Sequence, residues 1–366
     1  MATVNEKLLS ESISHSISMT RYSNGVVRRM IALLNKVDTD IKEQLLFLMD
    51  KLPPESFTVQ RLDKLLTSVR ELNKAAYETI KSSLEAELHD MVAYEAEYQQ
   101  SLIQSTVPVK LSVMPVNVES VYTAAMSRPF QGRLMKEWLK GLEETKAIRI
   151  RDALRIGYVE GQTIDQMVRR IRGTRVNNYA DGLLEIDRRN AATIVRSAIS
   201  HMAGFTRDRF YDDNADIIKS IKWVSTLDGK TSSTCRAHDG HTYSEGEHKS
   251  LDGGPEWGAG PGRVHPNCRS SSVPVLKSWR ELGIDINDEP ESTRASIDGQ
   301  VPESTTYQQW LDKRQAKEQD DILGKSRAKL FRAGMKVEQF VDRNGLEYTL
   351  KELRKKDAAL FNKAGL

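Results

Sequence analysis

Residues 235–238 are Cys235-Arg236-Ala237-His238 and residues 265–268 are His265-Pro266-Asn267-Cys268, so a C-x-x-H turn is mirrored by an H-x-x-C turn. These two turns contain both cysteines of the 366-residue chain. Two ligands separated by two residues can reach one ion from a tight turn, and two such pairs side by side complete a tetrahedral Cys2His2 site. The spacing therefore predicts that Cys235, His238, His265 and Cys268 bind one structural zinc ion.

Two other interpretations of these four side chains stay open. They are a hydrogen-bonded turn cluster without metal, and a disulfide between the two cysteines. In addition, His241 competes with His238 for its place as a ligand. The segment between the turns, residues 251–262, has five glycines and two prolines. That composition excludes a regular helix and indicates a loop. A metal ion bound at the two ends of the loop would help to order it.

The residues that flank the turns predict a small antiparallel sheet. Residues 217–226 have the composition of a strand, and Asp228-Gly229 suits a hairpin because glycine accepts a positive φ angle. We expect the second arm of this hairpin to carry Cys235. A closing strand at residues 271–276 would then lead the chain past His265 and Cys268.

A longer run of residues surrounds the two turns. It comprises Trp223, Thr226-Leu227-Asp228-Gly229-Lys230-Thr231-Ser232-Ser233-Thr234-Cys235, Asp239-Gly240 and Gly262-Arg263-Val264-His265-Pro266-Asn267-Cys268-Arg269. In order and spacing, this run resembles the signature of the phage Mu F-like minor head proteins of tailed bacteriophages. A weaker resemblance extends over residues 130–276. Members of that family typically have a second cysteine where this chain has Ser270, so a site that used that cysteine would lack a ligand here.

The resemblance implies a minor capsid protein located inside the virion head near the portal vertex. Such a protein would assist head morphogenesis and act in DNA packaging or ejection, with portal, capsid or scaffold proteins as its partners. It would be made in the host cytoplasm. No apolar run approaches the roughly 18 residues that span a bilayer, and the first residues lack a signal-peptide pattern. No membrane partner is therefore expected.

The hydrophobic pattern predicts a mainly helical α+β fold. Apolar residues recur at helical steps in residues 5–50 and 59–102, which predicts an N-terminal helical bundle or hairpin within residues 1–105. A β-branched run with prolines at residues 106–121 predicts an extended or edge strand. It opens a mixed Mu F-like domain at residues 106–280, with further helices at residues 132–157, 163–171 and 186–210.

Charge is distributed unevenly along the chain, although the net charge is only +3. Residues 128–175 contain twelve basic and six acidic side chains, and residues 281–303 contain seven acidic side chains and one arginine. The basic stretch is either a set of solvated helix faces or a surface that contacts packaged DNA or an acidic portal surface. We assign residues 281–301 to an acidic linker and residues 302–366 to a charged helical tail, extended and bound to a partner.

The common enzyme signatures are missing from the sequence. It contains no phosphate-binding P-loop, dinucleotide fingerprint, nucleophile elbow or H-E-x-x-H motif, which favours a non-enzymatic role. Two enzymatic alternatives stay open. One is a metal-dependent nuclease centre of the HNH type that uses His241 and His265. The other is an ADP-ribosyl transfer activity that uses Glu85-Ala86-Glu87 or Glu95-Ala96-Glu97.

Overall fold

The computed structural model describes residues 4–50, 59–160, 162, 164–177, 180–284, 293–296, 299–302 and 305–366. These residues form a mainly helical α+β structure, which confirms the predicted fold class. The α-helices are α1 Val4–Asp50, α2 Val59–Thr106, α3 Val118–Met126, α4 Met135–Val159, α5 Ile164–Arg172, α6 Leu183–Asp213, α7 Ser233–His238, α8 Tyr307–Asp312, α9 Ala316–Leu323, α10 Lys325–Arg332, α11 Leu350–Lys356 and α12 Ala358–Lys363. The strands are β1 Ile218–Val224, β2 Thr242–Tyr243, β3 Ser271–Leu276, β4 Thr293–Ser296 and β5 Gly299–Pro302.

The chain divides into two compact units that do not follow the order of the sequence. The first unit contains Met1–Thr20, Val92–Val121 and Ser200–Leu366, and the second contains Arg21–Met91 and Tyr122–Ile199. The boundaries fall inside the long helices α1, α2 and α6 and inside the short helix α3, so these four helices contribute residues to both units. The expected boundary at residue 105 divides the chain into consecutive segments. The compact units are not consecutive segments, because α1, α2 and α6 each contribute apolar residues to two separate cores.

The second unit is helical and encloses a buried polar network. Its apolar core includes Leu66 and Val69 of α2 and Ile150 and Leu154 of α4. Beside that core, Lys146 is almost fully buried, and its Nζ lies 2.7 Å from Oδ1 of Asp38. A buried charge of this kind is tolerated only when it is paired, so the ion pair fixes how α1 and α4 meet.

In the first unit, β1 is the central strand of a three-stranded antiparallel sheet with the order β2-β1-β3. The predicted strands at residues 217–226 and 271–276 are confirmed as β1 and β3, which pair from Val224 with Ser271 to Ile218 with Leu276. The side chains of Trp223, Tyr211 and Tyr243 are fully buried. They form the core together with apolar residues from the start of α1 and the end of α2.

One local prediction in this unit is wrong. Cys235 lies on the short helix α7 and not on a hairpin strand, because Ser232 caps the helix by accepting a hydrogen bond from the backbone N–H of Cys235. For residues 106–121 the prediction is an extended segment or an edge strand; residues 107–117 form no strand, as their prolines disfavour strand pairing, and residues 118–121 lie in α3. The backbone of Met114 instead bonds the amide side chain of Asn214, with Met114 N at 2.7 Å from Asn214 Oδ1.

The C-terminal region is folded, which corrects the prediction of an extended tail. Helices α8–α12 surround a core that contains Tyr307, Trp310, Phe331 and Phe361 together with Leu227 from the loop after β1. Each helix is too short to show a clear period in the sequence. Two parts of the expected acidic linker at residues 281–301, residues 293–296 and 299–301, lie in the paired antiparallel strands β4 and β5, whereas residues 285–292, 297 and 298 lie outside the described part of the chain.

Candidate metal centre

The structure brings three of the four predicted ligands together. The sulfur atoms of Cys235 and Cys268 are 3.6 Å apart, and Nε2 of His265 lies 3.2 Å from the Cys235 sulfur. The ligand atoms of these three residues all lie within 4.8 Å of one another. Both cysteines are free thiols and are only 2% exposed, whereas His265 is half-buried. This Cys-His-Cys group is close enough to hold a metal ion.

Two short elements position the group. Helix α7 presents Cys235, and the tight turn before β3 presents His265 and Cys268, with the Cys268 N–H donating to the His265 carbonyl at 3.2 Å. Asn267 has a φ angle of 57°, a left-handed conformation that asparagine adopts more readily than most residues. The asparagine of the H-P-N-C turn therefore has a conformational role.

Hydrogen bonds among the three side chains shift their pKa values. A hydrogen bond from Cys235 to Cys268 raises the pKa of Cys235 well above its usual value, and burial raises it further. The same bond lowers the pKa of Cys268 well below its usual value, with help from His265 and against the effect of burial. The hydrogen bond to Cys268 also raises the pKa of His265. One thiolate is thus stabilised before any metal binds, and a metal ion would displace the remaining protons.

His238, the fourth predicted ligand, is not part of this group. Its Nδ1 lies 2.8 Å from the carbonyl oxygen of Thr234, and its Nε2 lies 2.9 Å from the carbonyl oxygen of Glu256. The buried ring also packs against Trp223, with ring centroids 4.3 Å apart. Nδ1 therefore contacts a carbonyl oxygen of helix α7 itself, Nε2 joins the helix to the loop before Trp257, and the group contains three of the four predicted ligands.

Ser270 lies beside the group, at the position where the resemblance places a second cysteine. Its hydroxyl lowers the pKa of Cys235 and lies 3.0 Å from the hydroxyl of Ser225. Ser232 lies on another side, with its hydroxyl 2.8 Å from Nε2 of His265. Hydroxyl groups are not among the usual zinc ligands, so these two serines line the group without completing it.

The acidic residues of the run around the turns have structural partners. Asp228 accepts two hydrogen bonds from the guanidinium of Arg269, at 2.6 and 2.8 Å. Burial opposes ionisation of Asp228, but Arg269 outweighs it and lowers the pKa of this carboxyl group. Asp239 accepts from the backbone N–H groups of Ser225 and Tyr307, at 2.7 and 2.8 Å. Asp239 therefore joins the sheet to α8, a role that spacing alone did not indicate.

Of the residues of the two enzymatic alternatives, only His265 belongs to the Cys-His-Cys group. Nδ1 of His241 lies 2.9 Å from Asp252 and its Nε2 lies 3.4 Å from Glu338, and His241 is not in the Cys-His-Cys group. Strand β3 begins directly after Ser270, where an HNH centre needs a helix. Glu95 is buried in a network described below, and Glu85-Ala86-Glu87 lies within α2.

Comparisons of the chain with protein-family models, with curated proteins and with solved structures found no match. Among the described residues, no helix combines the length and the apolar character needed to cross a membrane.

Proposed function

We propose that this protein is a minor head protein of a tailed bacteriophage and that its Cys-His-Cys group binds zinc as a structural staple. The observation that carries the zinc assignment is the convergence of Cys235, His265 and Cys268 within 4.8 Å. The head assignment rests on the resemblance of residues 222–269 to Mu F-like minor head proteins. In this account the metal stabilises the turns that precede β3.

The donor atoms fit zinc in both chemistry and spacing. Two thiolates and one imidazole are a preferred donor set for this ion. With zinc–sulfur bonds of about 2.3 Å and zinc–nitrogen bonds of about 2.0 Å, a tetrahedron has edges of about 3.8 Å between sulfurs and about 3.5 Å between sulfur and nitrogen. The corresponding distances here are 3.6 Å between Cys235 and Cys268 and 3.2 Å between Cys235 and His265. The third separation, between Cys268 and His265, is at most 4.8 Å.

The surroundings of the group support a structural role over a catalytic one. A hydrolytic metal site needs a general base within hydrogen-bonding reach of the reacting water. Asp228 and Asp239 are committed to Arg269 and to backbone N–H groups. His238 is committed to two carbonyl oxygens. These contacts stabilise the turns and leave the named side chains unsuited to proton transfer.

A pair of histidine variants tests the ligand set. We expect His265→Gln to lose zinc, because it removes a ligand, and His238→Gln to retain about one zinc per chain. Zinc would be measured by elemental analysis on protein that elutes at the wild-type volume in size-exclusion chromatography. Loss of zinc from His238→Gln alone would contradict the three-ligand assignment.

The partners proposed for this role are portal, capsid or scaffold proteins. Contact with packaged DNA has weaker support, because Arg149, Arg151 and Arg170 of the basic stretch form ion pairs with carboxylates. Quantitative mass spectrometry of purified virions, with the gene intact or deleted, tests the head assignment. We expect the protein at far fewer copies than the major capsid protein, and defective heads after deletion. Absence from virions together with normal heads would refute the proposal.

A further inference from the structure

The Cys-His-Cys group supplies one ligand fewer than a closed structural zinc site. Structural zinc sites are almost always four-coordinate with four protein ligands, whereas three protein ligands leave one position for an exchangeable group. Within the described residues, the group contains Cys235, His265 and Cys268 and no further histidine, cysteine or carboxylate. His238, the nearest candidate in sequence, is outside the group, and its ring nitrogens lie 2.8 and 2.9 Å from the carbonyl oxygens of Thr234 and Glu256.

The group is buried on one side and accessible on the other. Cys235, Cys268 and Ser270 are buried, with exposures of 2%, 2% and 6%. His265 and Ser232 are half-buried, and the turn continues through the exposed residue Pro266. Solvent therefore reaches the group from the side of His265, where the Ser232 hydroxyl lies 2.8 Å from Nε2. A small molecule that approached the metal from this side would meet a hydrogen-bonding hydroxyl.

We propose that the metal at this site keeps an exchangeable fourth coordination position that takes water or a small monodentate nitrogen donor of the imidazole class. This inference rests on the zinc site proposed above and assigns a property that a purely structural staple lacks. It follows from the ligand count and from the half-buried face formed by His265 and Ser232.

Ser270 provides a closed-site control. Its hydroxyl is close enough to lower the pKa of Cys235, so a thiolate at the same position would lie near a metal held by Cys235. The substitution Ser270→Cys therefore offers a fourth protein ligand. We expect this variant to bind cobalt at least about tenfold more tightly than the wild type, because a thiolate replaces a weakly held water.

The experiment uses the full chain loaded with Co²⁺, whose visible absorption reports thiolate ligation and coordination geometry. We expect cobalt–thiolate bands in the wild type that shift as imidazole is added, and bands in Ser270→Cys that stay constant. Cobalt–thiolate bands in the wild type that do not respond to imidazole would overturn the open position while leaving the metal site intact. Absence of any cobalt–thiolate band would remove the metal site itself, and this inference with it.

Discussion

Replacement of Glu95 by glutamine should strongly destabilise the first compact unit. Glu95 is fully buried, and its carboxylate contacts Nε2 of His15 at 2.8 Å and a guanidinium nitrogen of Arg207 at 3.0 Å. Gln99 donates a further hydrogen bond at 2.9 Å. A neutral side chain would leave the buried Arg207 without its counter-charge. Breaking a buried pair in this way typically costs about 3–5 kcal/mol.

The pKa of Glu95 gives the pH dependence of this effect. Burial alone would raise the pKa, but Arg207 and the hydrogen bond from His15 outweigh burial and lower it from 4.5 to about 2. A shift of that size corresponds to about 3 kcal/mol of stability. Because the folded-state pKa is depressed, this stability is present above pH 4.5 and is lost as the pH falls towards 2. The difference between wild type and Glu95→Gln should therefore shrink over that range.

Urea unfolding followed by tryptophan fluorescence measures this difference. Trp223, Trp257, Trp279 and Trp310 all lie in the first unit, so the signal reports mainly on the unit that contains Glu95. The matched control is Glu97→Gln, which changes an exposed carboxylate two residues away in the same helix. Equal stability of the two variants at pH 7 would refute the reasoning.

Two further substitutions test how the C-terminal region and the turns are held. Gly345→Ala should be about 1–3 kcal/mol less stable than Gly283→Ala. Both glycines have similar φ angles, 76° and 74°, but only a Cβ at 345 would meet another side chain, at 2.6 Å from a threonine methyl group. Thermal unfolding compares the two variants. Equal melting temperatures would contradict the close contact between Gly345 and Thr234 of helix α7. Asp228→Asn should cost about 1–3 kcal/mol at pH 7, because it weakens the paired hydrogen bonds from Arg269. The exposed Asp216→Asn is its control in the same assay, and an equal effect would count against the role of that pair.

The long helices and the sheet could be predicted because their patterns extend over many residues. In α2, buried Val69, Ile80, Leu84 and Leu88 follow helical steps, and the predicted helix at residues 59–102 is confirmed as Val59–Thr106. The apolar strands of the sheet were similarly clear. The compact units could not be predicted, because helical periodicity is local and does not show which core each end of a long helix joins.

The candidate site shows a similar limit. Spacing correctly indicated that Cys235, His265 and Cys268 converge. Spacing could not show that the ring nitrogens of His238 would contact the backbone carbonyls of Thr234 and Glu256. The contact with Glu256 depends on where the loop before Trp257 lies. The C-terminal helices were misjudged for a related reason. Their high charge indicated an extended tail, while their few aromatic residues were enough to build a core.

Zinc-edge X-ray absorption of the purified chain, combined with elemental analysis, tests the Cys-His-Cys metal site most directly. Protein prepared under reducing conditions without chelator should contain about one zinc per chain. Its nearest shell should contain two sulfurs at about 2.3 Å and two nitrogen or oxygen donors at about 2.0–2.1 Å. Metal-free protein, or a shell without sulfur, would contradict the account.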